Sequence, residues 1–265
     1  LLSGNAYAVV INSPITTTIT NDDVTITSSG SVTISSDNAI SISSPSNNNK
    51  TINNAGTITT SGFRNHGVWL YQSGSHTLTN SGTMSASGIR AHAIRITTDS
   101  DNNTITNTGS LSTSGNQGDG VKLYLSDTNT FISNSLGTIT TLGDDAHGIE
   151  LEGSSSNNIT NQGSITTSGT ASHGINMING TDFNTTQTIN NTITNSGTIN
   201  LSGNNSNGIN INVDNNTITN SGNITNSGNS SIGINLLGDS NTLCHTGTIT
   251  NSGTNSIGLS ITGSN

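Results

Sequence analysis

One spacing recurs through most of this chain: a Gly is followed, eleven residues later, by a second small residue that opens a Gly-Ile-x-Leu-like segment. The first Gly recurs at intervals of 26, 27, 28, 26, 34, 25 and 25 residues. A repeat with a constant half and a half of variable length is typical of a solenoid, whose stacked framework carries loops that change length freely. The eight pairs are Gly56/Gly67, Gly82/Ala93, Gly109/Gly120, Gly137/Gly148, Gly163/Gly174, Gly197/Gly208, Gly222/Gly233 and Gly247/Gly258.

Apolar residues keep fixed places in each repeat. If the first Gly is position zero, they stand at −4, +2, +12 and +14 and alternate with Ser, Thr or Asn, which indicates strands with one buried face. In the repeat of Gly137 this pattern places Ile132 inside, displaced by one residue. We therefore predict an all-β fold: a right-handed, single-stranded parallel β-helix of about ten turns, with three short strands in each turn of 25–28 residues.

The repeat predicts one β-helix domain over residues 1–265, less regular over 1–50 and regular over 51–265. The turn of 34 residues predicts a long insertion near residues 179–191. Its Thr181-Asp182-Phe183-Asn184 segment would protrude as a loop, or Thr188-Ile189 would add a strand.

Two further columns predict the corners of the coil. A second Gly at +6 (Gly62, Gly88 and Gly115, for example) would supply a sharp corner with positive φ. An Asn column at −2 predicts left-handed corner residues whose stacked amides bond along the axis, with Asn134 as a shifted member and His245 as a replacement. We interpret this ladder as structural; its members are Asn54, Asn80, Asn107, Asn161, Asn195 and Asn220.

The composition excludes some classes of function. Leu, Ile, Val and Phe total 57 of the 265 residues, a share close to that of disordered sequence, but the fixed places of the apolar residues oppose disorder. A net charge of −9 argues against nucleic acid and anionic membrane surfaces as partners. No run of eighteen apolar residues is present, so we expect no membrane insertion of this segment. Nothing in the sequence calls for a cofactor.

The repeat also carries a family resemblance. The string Asn-Thr-Ile-Thr-Asn-Ser-Gly-Thr-Ile at 191–199, followed by Ser-Gly and a Gly-Ile-x-Leu-like segment, resembles the repeats of bacterial autotransporter passenger domains. The resemblance extends from about residue 24 to residue 262. It implies a β-solenoid at the cell surface or in the extracellular medium, often serving as an adhesin, and points to no one activity.

The most varied outward positions, +13 and +15, lie on the third strand of each turn. Aromatic rings beside charged donors can stack on sugars or anchor a protein, so these residues form a candidate binding patch. Alternatively, outward residues vary freely, and Arg95 or Lys122 simply pairs with a glutamate across rungs. The patch comprises Trp69, Tyr71, Arg95, Lys122, Tyr124, Glu150 and Glu152.

Three other sites can be read from the repeat. His66, His92, His147 and His173 share position +10 with Asp119, which favours a stack of rings over a metal site. Glu150 and Glu152 place two carboxylates on the outer face of a single repeat. A glycan-cleaving enzyme also needs a positioned base or cation, and the sequence offers no further support for one. Thr-x-Thr pairs suggest a flat, ice-binding array, but Ser and Asn interrupt it.

Together these patterns predict a non-enzymatic surface or secreted scaffold or adhesin. Its partner would be a glycan or protein on a host or neighbouring cell, or copies of itself. The alternative is a structural subunit whose open ends stack head to tail into a filament. Ice binding and a polysaccharide-active enzyme are the weaker alternatives.

Overall fold

The computed structural model describes residues 8–180 and 187–264. In these residues the chain forms thirty short strands and one 3₁₀ turn, Pro45–Asn47. The strands make three parallel sheets of ten, in which every strand pairs with the third strand before and after it in the chain. The predicted all-β solenoid with three strands per turn is therefore confirmed. No helix in the described ranges has the length and apolarity to span a bilayer.

Each turn, or rung, contributes one strand to each sheet. Sheet 1 contains β1 Val9–Ile11, β4 Val24–Ile26, β7 Thr51–Asn54, β10 Thr77–Asn80, β13 Thr104–Asn107, β16 Thr130–Ser133, β19 Asn158–Asn161, β22 Thr192–Asn195, β25 Thr217–Asn220 and β28 Thr242–His245. Sheet 2 contains β2 Pro14–Ile15, β5 Ser31–Ile34, β8 Thr57–Thr60, β11 Thr83–Ala86, β14 Ser110–Thr113, β17 Thr138–Thr141, β20 Ser164–Thr167, β23 Thr198–Leu201, β26 Asn223–Asn226 and β29 Thr248–Asn251. Sheet 3 contains β3 Ile19–Thr20, β6 Ile40–Ser43, β9 Val68–Tyr71, β12 Ile94–Thr97, β15 Val121–Tyr124, β18 Ile149–Glu152, β21 Ile175–Ile178, β24 Asn207–Ile211, β27 Ile232–Leu236 and β30 Ile257–Ile261.

The core is a narrow column of aliphatic side chains inside the three sheets. Strand register stacks each on its equivalent in the next rung, as when Leu78 aligns with Ile105. The prediction for Ile132 is wrong: Phe131 aligns with Ile105 and is fully buried, while Ile132 lies on the outward face. The two extra residues of this rung lie after the strand, because residues 134–137 separate β16 from β17, whereas only residues 108–109 separate β13 from β14. The period-two pattern of β16 therefore continues without a shift.

The asparagine ladder at −2 bonds along the axis as predicted. The amide of Asn54 donates to the Asn80 side chain (2.7 Å), and that of Asn80 donates to Asn107 (2.8 Å). All six members are buried and extended at the ends of sheet 1 strands, so the predicted left-handed corner conformation is wrong. A second run joins Asn161, Asn195 and Asn220 and ends on the His245 ring.

Ser133, rather than Asn134, interrupts the ladder between its two runs. It aligns with Asn107 on one side and with Asn161 on the other. The shorter serine side chain leaves its own Oγ and the Asn161 Oδ1 buried without a hydrogen-bond partner. The ladder therefore consists of two separate runs.

The glycines at +6 serve close packing rather than a left-handed turn. A Cβ on Gly88 would lie 1.9 Å from the Gly62 carbonyl oxygen, and one on Gly115 would lie 2.0 Å from that of Gly88. Among the described glycines only Gly153 has a positive φ, so the prediction of positive φ at +6 is wrong. The left-handed residues are instead non-glycine ones at +8: Arg64, Arg90, Gln117, Asp145, Ala171, Asn205, Ser230 and Asn255.

The predicted insertion lies between β21 and β22. These strands are separated by residues 179–191, whereas β18 and β19 are separated only by residues 153–157. Residues 181–186, which include the predicted Thr181-Asp182-Phe183-Asn184 loop, fall outside the described ranges. The alternative of an added strand at Thr188-Ile189 is wrong, because neither residue belongs to a strand. Thr188 is buried, and its hydroxyl accepts the Ser154 N–H.

Candidate functional site

Sheet 3 brings the predicted patch together on its outer face. Register places Trp69 beside Arg95, Arg95 beside Lys122, and Lys122 beside Glu150. The +15 column runs parallel to it, with Thr97 between Tyr71 and Tyr124, and Glu152 next. Because the alternation along a strand sends +13 and +15 to one face, the seven residues form one continuous surface over four rungs.

A groove of about 640 Å³ runs along this surface. Arg95, Lys122, Tyr124, Glu150 and Glu152 line it, whereas Trp69 and Tyr71 lie beyond the lining. The groove also contains Arg64 and Arg90 from the +8 corner, so four of the five basic residues of an acidic chain line one groove. The sequence analysis missed the corner residues because it assigned the left-handed position to +6, and the residue types at +8 share no signal for a positive φ.

An ionic cluster forms the centre of the groove floor. The Lys122 ammonium donates to the Glu150 carboxylate at 2.5 Å and to the Glu152 carboxylate at 2.7 Å. Both glutamates are buried, at 5% and 7% exposure, although their positions predict outward side chains. Burial lowers the pKa of Lys122, but Glu150, Asp119 and Glu152 outweigh it and raise that pKa above its ordinary value. The alternative of Lys122–Glu150 pairing across rungs is thus confirmed.

Amide groups hold the far side of this cluster. The Asn176 amide donates to the second Glu150 oxygen (3.1 Å) and accepts from Asn210 (2.8 Å), which in turn accepts from Asn235 (2.8 Å). Such a chain of hydrogen bonds fixes the orientation of the buried carboxylate. A continuous chain of side-chain contacts therefore connects the floor from Lys122 on β15 to Asn235 on β27.

Two of the aromatic residues, Trp69 and Tyr71, lie just beyond the N-terminal end of the groove, and Tyr124 lies within it. The rings of Trp69 and Tyr71 stack with centroids 5.2 Å apart at 18°. The Arg95 guanidinium and the Lys122 ammonium each lie 5.9 Å from the Tyr124 ring centroid, within the range of a cation–π contact. Rings and cations thus share one surface, as the sequence predicted.

Three members of the histidine column at +10, His92, His147 and His173, form one wall of the groove, and His66 continues the column beyond the lining. His66 stacks on His92 and His147 stacks on His173, each pair with centroids 5.0 Å apart. The predicted stack is confirmed, with Asp119 between the two pairs. The sequence did not predict that these side chains accept backbone N–H groups from the next rung. Asp119 has the same role, because its Oδ1 accepts the His147 N–H at 2.7 Å.

This role fixes the ring tautomers. His66 Nδ1 accepts the His92 N–H, His92 Nδ1 accepts the Asp119 N–H, and His147 Nδ1 accepts the His173 N–H. A neutral ring whose Nδ1 accepts carries its proton on Nε2. Burial, followed by neighbouring cations and rings, lowers the pKa of His66 and of His92, which keeps both rings neutral. These rings are therefore Nε2–H donors.

Asp119, His147 and Glu150 place donor atoms within 4.8 Å of one another, close enough to surround a cation. Two contacts oppose metal binding there. A metal on His147 Nδ1 would displace the His173 N–H, and one on Nε2 would move the ring proton onto Nδ1 against that same N–H. Glu150 already accepts from Lys122 and Asn176. The cluster is therefore better suited to holding the wall and the floor together.

Comparison with known families matches the chain to the model of a family described as the BigA third pectate lyase-like domain. Its model matches residues 22–238, which is most of the chain and contains the whole groove. Comparisons with curated proteins and with solved structures give no match.

Proposed function

Because this chain belongs to the family of the BigA third pectate lyase-like domain, we propose that it is a non-catalytic binding module of a bacterial β-solenoid, exposed at the cell surface or secreted. The solenoid fold and the resemblance of the repeats to passenger domains support this location. The partner in this proposal is a glycan on the surface of a host or neighbouring cell. The module works as an adhesin.

The observation that carries this proposal is the Trp69–Tyr71 stack at the end of a charged groove. The two half-buried rings continue the sheet 3 surface on which Arg95, Lys122 and Glu150 follow. A flat aromatic surface packs on the apolar face of a sugar ring, and adjoining polar groups bond to its hydroxyls. Since the floor is fixed by backbone pairing and amide chains, binding requires little ordering of the protein.

The same geometry favours binding over catalysis. Glu150 and Glu152 are the only carboxylates of the predicted patch, and Lys122 occupies an oxygen of each. A general acid or base needs an oxygen that can reach the glycosidic bond or an attacking water. In this groove the Lys122 ammonium engages one oxygen of each glutamate, and the Asn176 amide engages the second oxygen of Glu150.

Glycan-array and cell-binding assays with Trp69→Ala and Tyr71→Ala test the proposal. We expect Trp69→Ala to weaken binding by about tenfold or more, because a buried aromatic contact contributes a large share of the free energy of binding. Leu136→Ala is the matched control: Leu136 is an exposed apolar residue between β16 and β17, away from sheet 3. Unchanged binding by both aromatic variants would remove the proposal. Polysaccharide turnover that Glu150→Gln abolishes would show an enzyme instead.

A further inference from the structure

The cations of the groove differ in how they are compensated. Lys122 contacts two carboxylates, as described above. Within residues 8–180 and 187–264, neither Arg64 nor Arg95 has a carboxylate oxygen within 4.0 Å. The Arg64 guanidinium lies 5.2 Å from the ring of Phe63, and Arg95 lies beside Trp69. One end of the groove thus has its cation paired with carboxylates, and the other end has two guanidinium groups that no carboxylate of the described residues contacts.

Two donors face each other at that positive end. Arg95 Nη1 lies 3.4 Å from His66 Nε2. Because His66 Nδ1 accepts the His92 N–H, Nε2 carries the ring proton, and neither atom can accept from the other. The Nε of Arg95 is buried and has no hydrogen-bond partner. Buried donors without an acceptor are costly, so this arrangement calls for an acceptor from outside the chain.

The charges at this end also repel one another. The pKa of Arg95 lies below its ordinary value. Burial is the largest cause and the nearby Arg64 guanidinium the next, and together they outweigh the groups that raise this pKa. The pKa of His66 is lowered by burial, His92, Arg95 and Arg64, in that order. An anion at this position would relieve the repulsion between two guanidinium groups and accept from all three side chains.

We propose that Arg64, His66 and Arg95 form an oxyanion site for a charged substituent of a sugar whose ring lies on Trp69. This inference rests on the proposed function and names its ligand more closely. A guanidinium donates two parallel N–H groups to a carboxylate, sulfate or phosphate, so the shared chemistry is a group with at least two equivalent oxygens. Trp69 lies on β9 and Arg95 on the neighbouring strand β12, while Arg64 and His66 lie in the segment between β8 and β9.

The chain contains one Trp, so its fluorescence reports directly on this site. We would titrate the protein with three oligosaccharides of equal length: one sulfated, one composed of uronates and one neutral. At least one charged oligosaccharide should change Trp69 fluorescence saturably and bind about tenfold more tightly than the neutral one. The charged compound that binds identifies the substituent. Raising the salt concentration should weaken this binding.

Two variants remove the site. Each introduces a residue that already occurs at the same repeat position in another rung. Arg95→Asn places at +13 the residue found at Asn176 and Asn210, and Arg64→Gln places at +8 the residue found at Gln117. Each should lower affinity for the charged oligosaccharide by about tenfold. Lys50→Gln makes the same change of charge at the one basic residue outside the groove and should leave affinity unchanged. Arg64 is exposed, so its variant tests the proposal even if Arg95→Asn unfolds.

Three results would overturn the oxyanion site. They are equal affinity for neutral and charged oligosaccharides, unchanged affinity in both arginine variants, or no binding of either charged compound. Glycan binding that depends on Trp69 but not on charge would leave the proposed function intact. Cell and glycan binding that is unaffected by Trp69→Ala would contradict that function separately.

Discussion

His173 Nδ1 accepts the backbone N–H of Asn207 in the next rung at 2.9 Å. The same relationship joins Lys50 to His76, whose Nδ1 accepts the Lys50 N–H at 3.0 Å in a second buried column. At the other rungs of that column the acceptor is an Asn, as when Asn103 accepts the His76 N–H. A ring that accepts in this way must be neutral at Nδ1, so protonation opposes the stacking of rungs.

Acid should therefore destabilise the solenoid below pH 6.5. Burial lowers the pKa of His76 to about 4, and burial followed by His147 lowers that of His173 to about 3. Between these values and the unfolded pKa, the unfolded chain binds protons that the folded chain does not. The stabilisation is complete above pH 6.5 and is lost progressively as the pH falls towards 4 for His76 and towards 3 for His173. Urea unfolding from pH 7 to pH 4.5 measures it.

His76→Asn isolates one part of this effect, because Asn is the usual residue of the column and does not titrate. The variant should lose about 2 kcal/mol less stability than the wild type between pH 7 and pH 4.5. The carboxylates contribute equally to both proteins, so the difference reports on His76. Parallel pH profiles for the two proteins would contradict the prediction.

The repeat allowed the fold to be predicted because a one-residue slip would expose every buried Ile. Register, strand count and the asparagine ladder followed from that constraint, as the Asn54–Asn80 bond shows. The groove could not be predicted in the same way. The shape of the groove depends on which corner residue has a positive φ. Position +8 carries Arg, Gln, Asp, Ala, Asn and Ser, and none of these residue types by itself predicts a positive φ. The burial of Glu150 also depends on the ion pair with Lys122, which alternation alone does not reveal.

Removing one member of the ladder should be costly. Asn80 is fully buried, accepts from Asn54 and donates to Asn107. Asn80→Ala leaves both neighbours with an unpaired buried group, so we expect a loss of about 2–4 kcal/mol in the free energy of unfolding. Thr79→Ala, on the outward face of the same strand, should cost less than about 1 kcal/mol. Similar losses in the two variants would show that the ladder contributes little.

One substitution should stabilise the protein. Asn226 is fully buried, and neither its Nδ2 nor its Oδ1 has a hydrogen-bond partner. At the equivalent place Thr167 donates its hydroxyl to the Ser172 carbonyl at 2.8 Å. Asn226→Thr should form the matching bond to Ser231 and raise the free energy of unfolding by about 1–2 kcal/mol. Chemical denaturation measures the gain; a decrease would indicate that the Asn226 amide is satisfied in solution.

The glycines at +6 should not tolerate a side chain. The Cβ of a Gly115→Ala variant would lie 2.0 Å from the Gly88 carbonyl oxygen, so neighbouring rungs would have to separate. We expect a loss of about 3 kcal/mol. Gly258→Ala is the matched control, since its nearest atoms would lie at 3.9 and 4.0 Å and Ala93 occupies the same column. Hydrogen exchange followed by mass spectrometry should show faster exchange in β11, β14 and β17 of Gly115→Ala, and unchanged exchange in β27 and β30 of Gly258→Ala. Faster exchange in both variants would contradict close approach as the reason for glycine at +6.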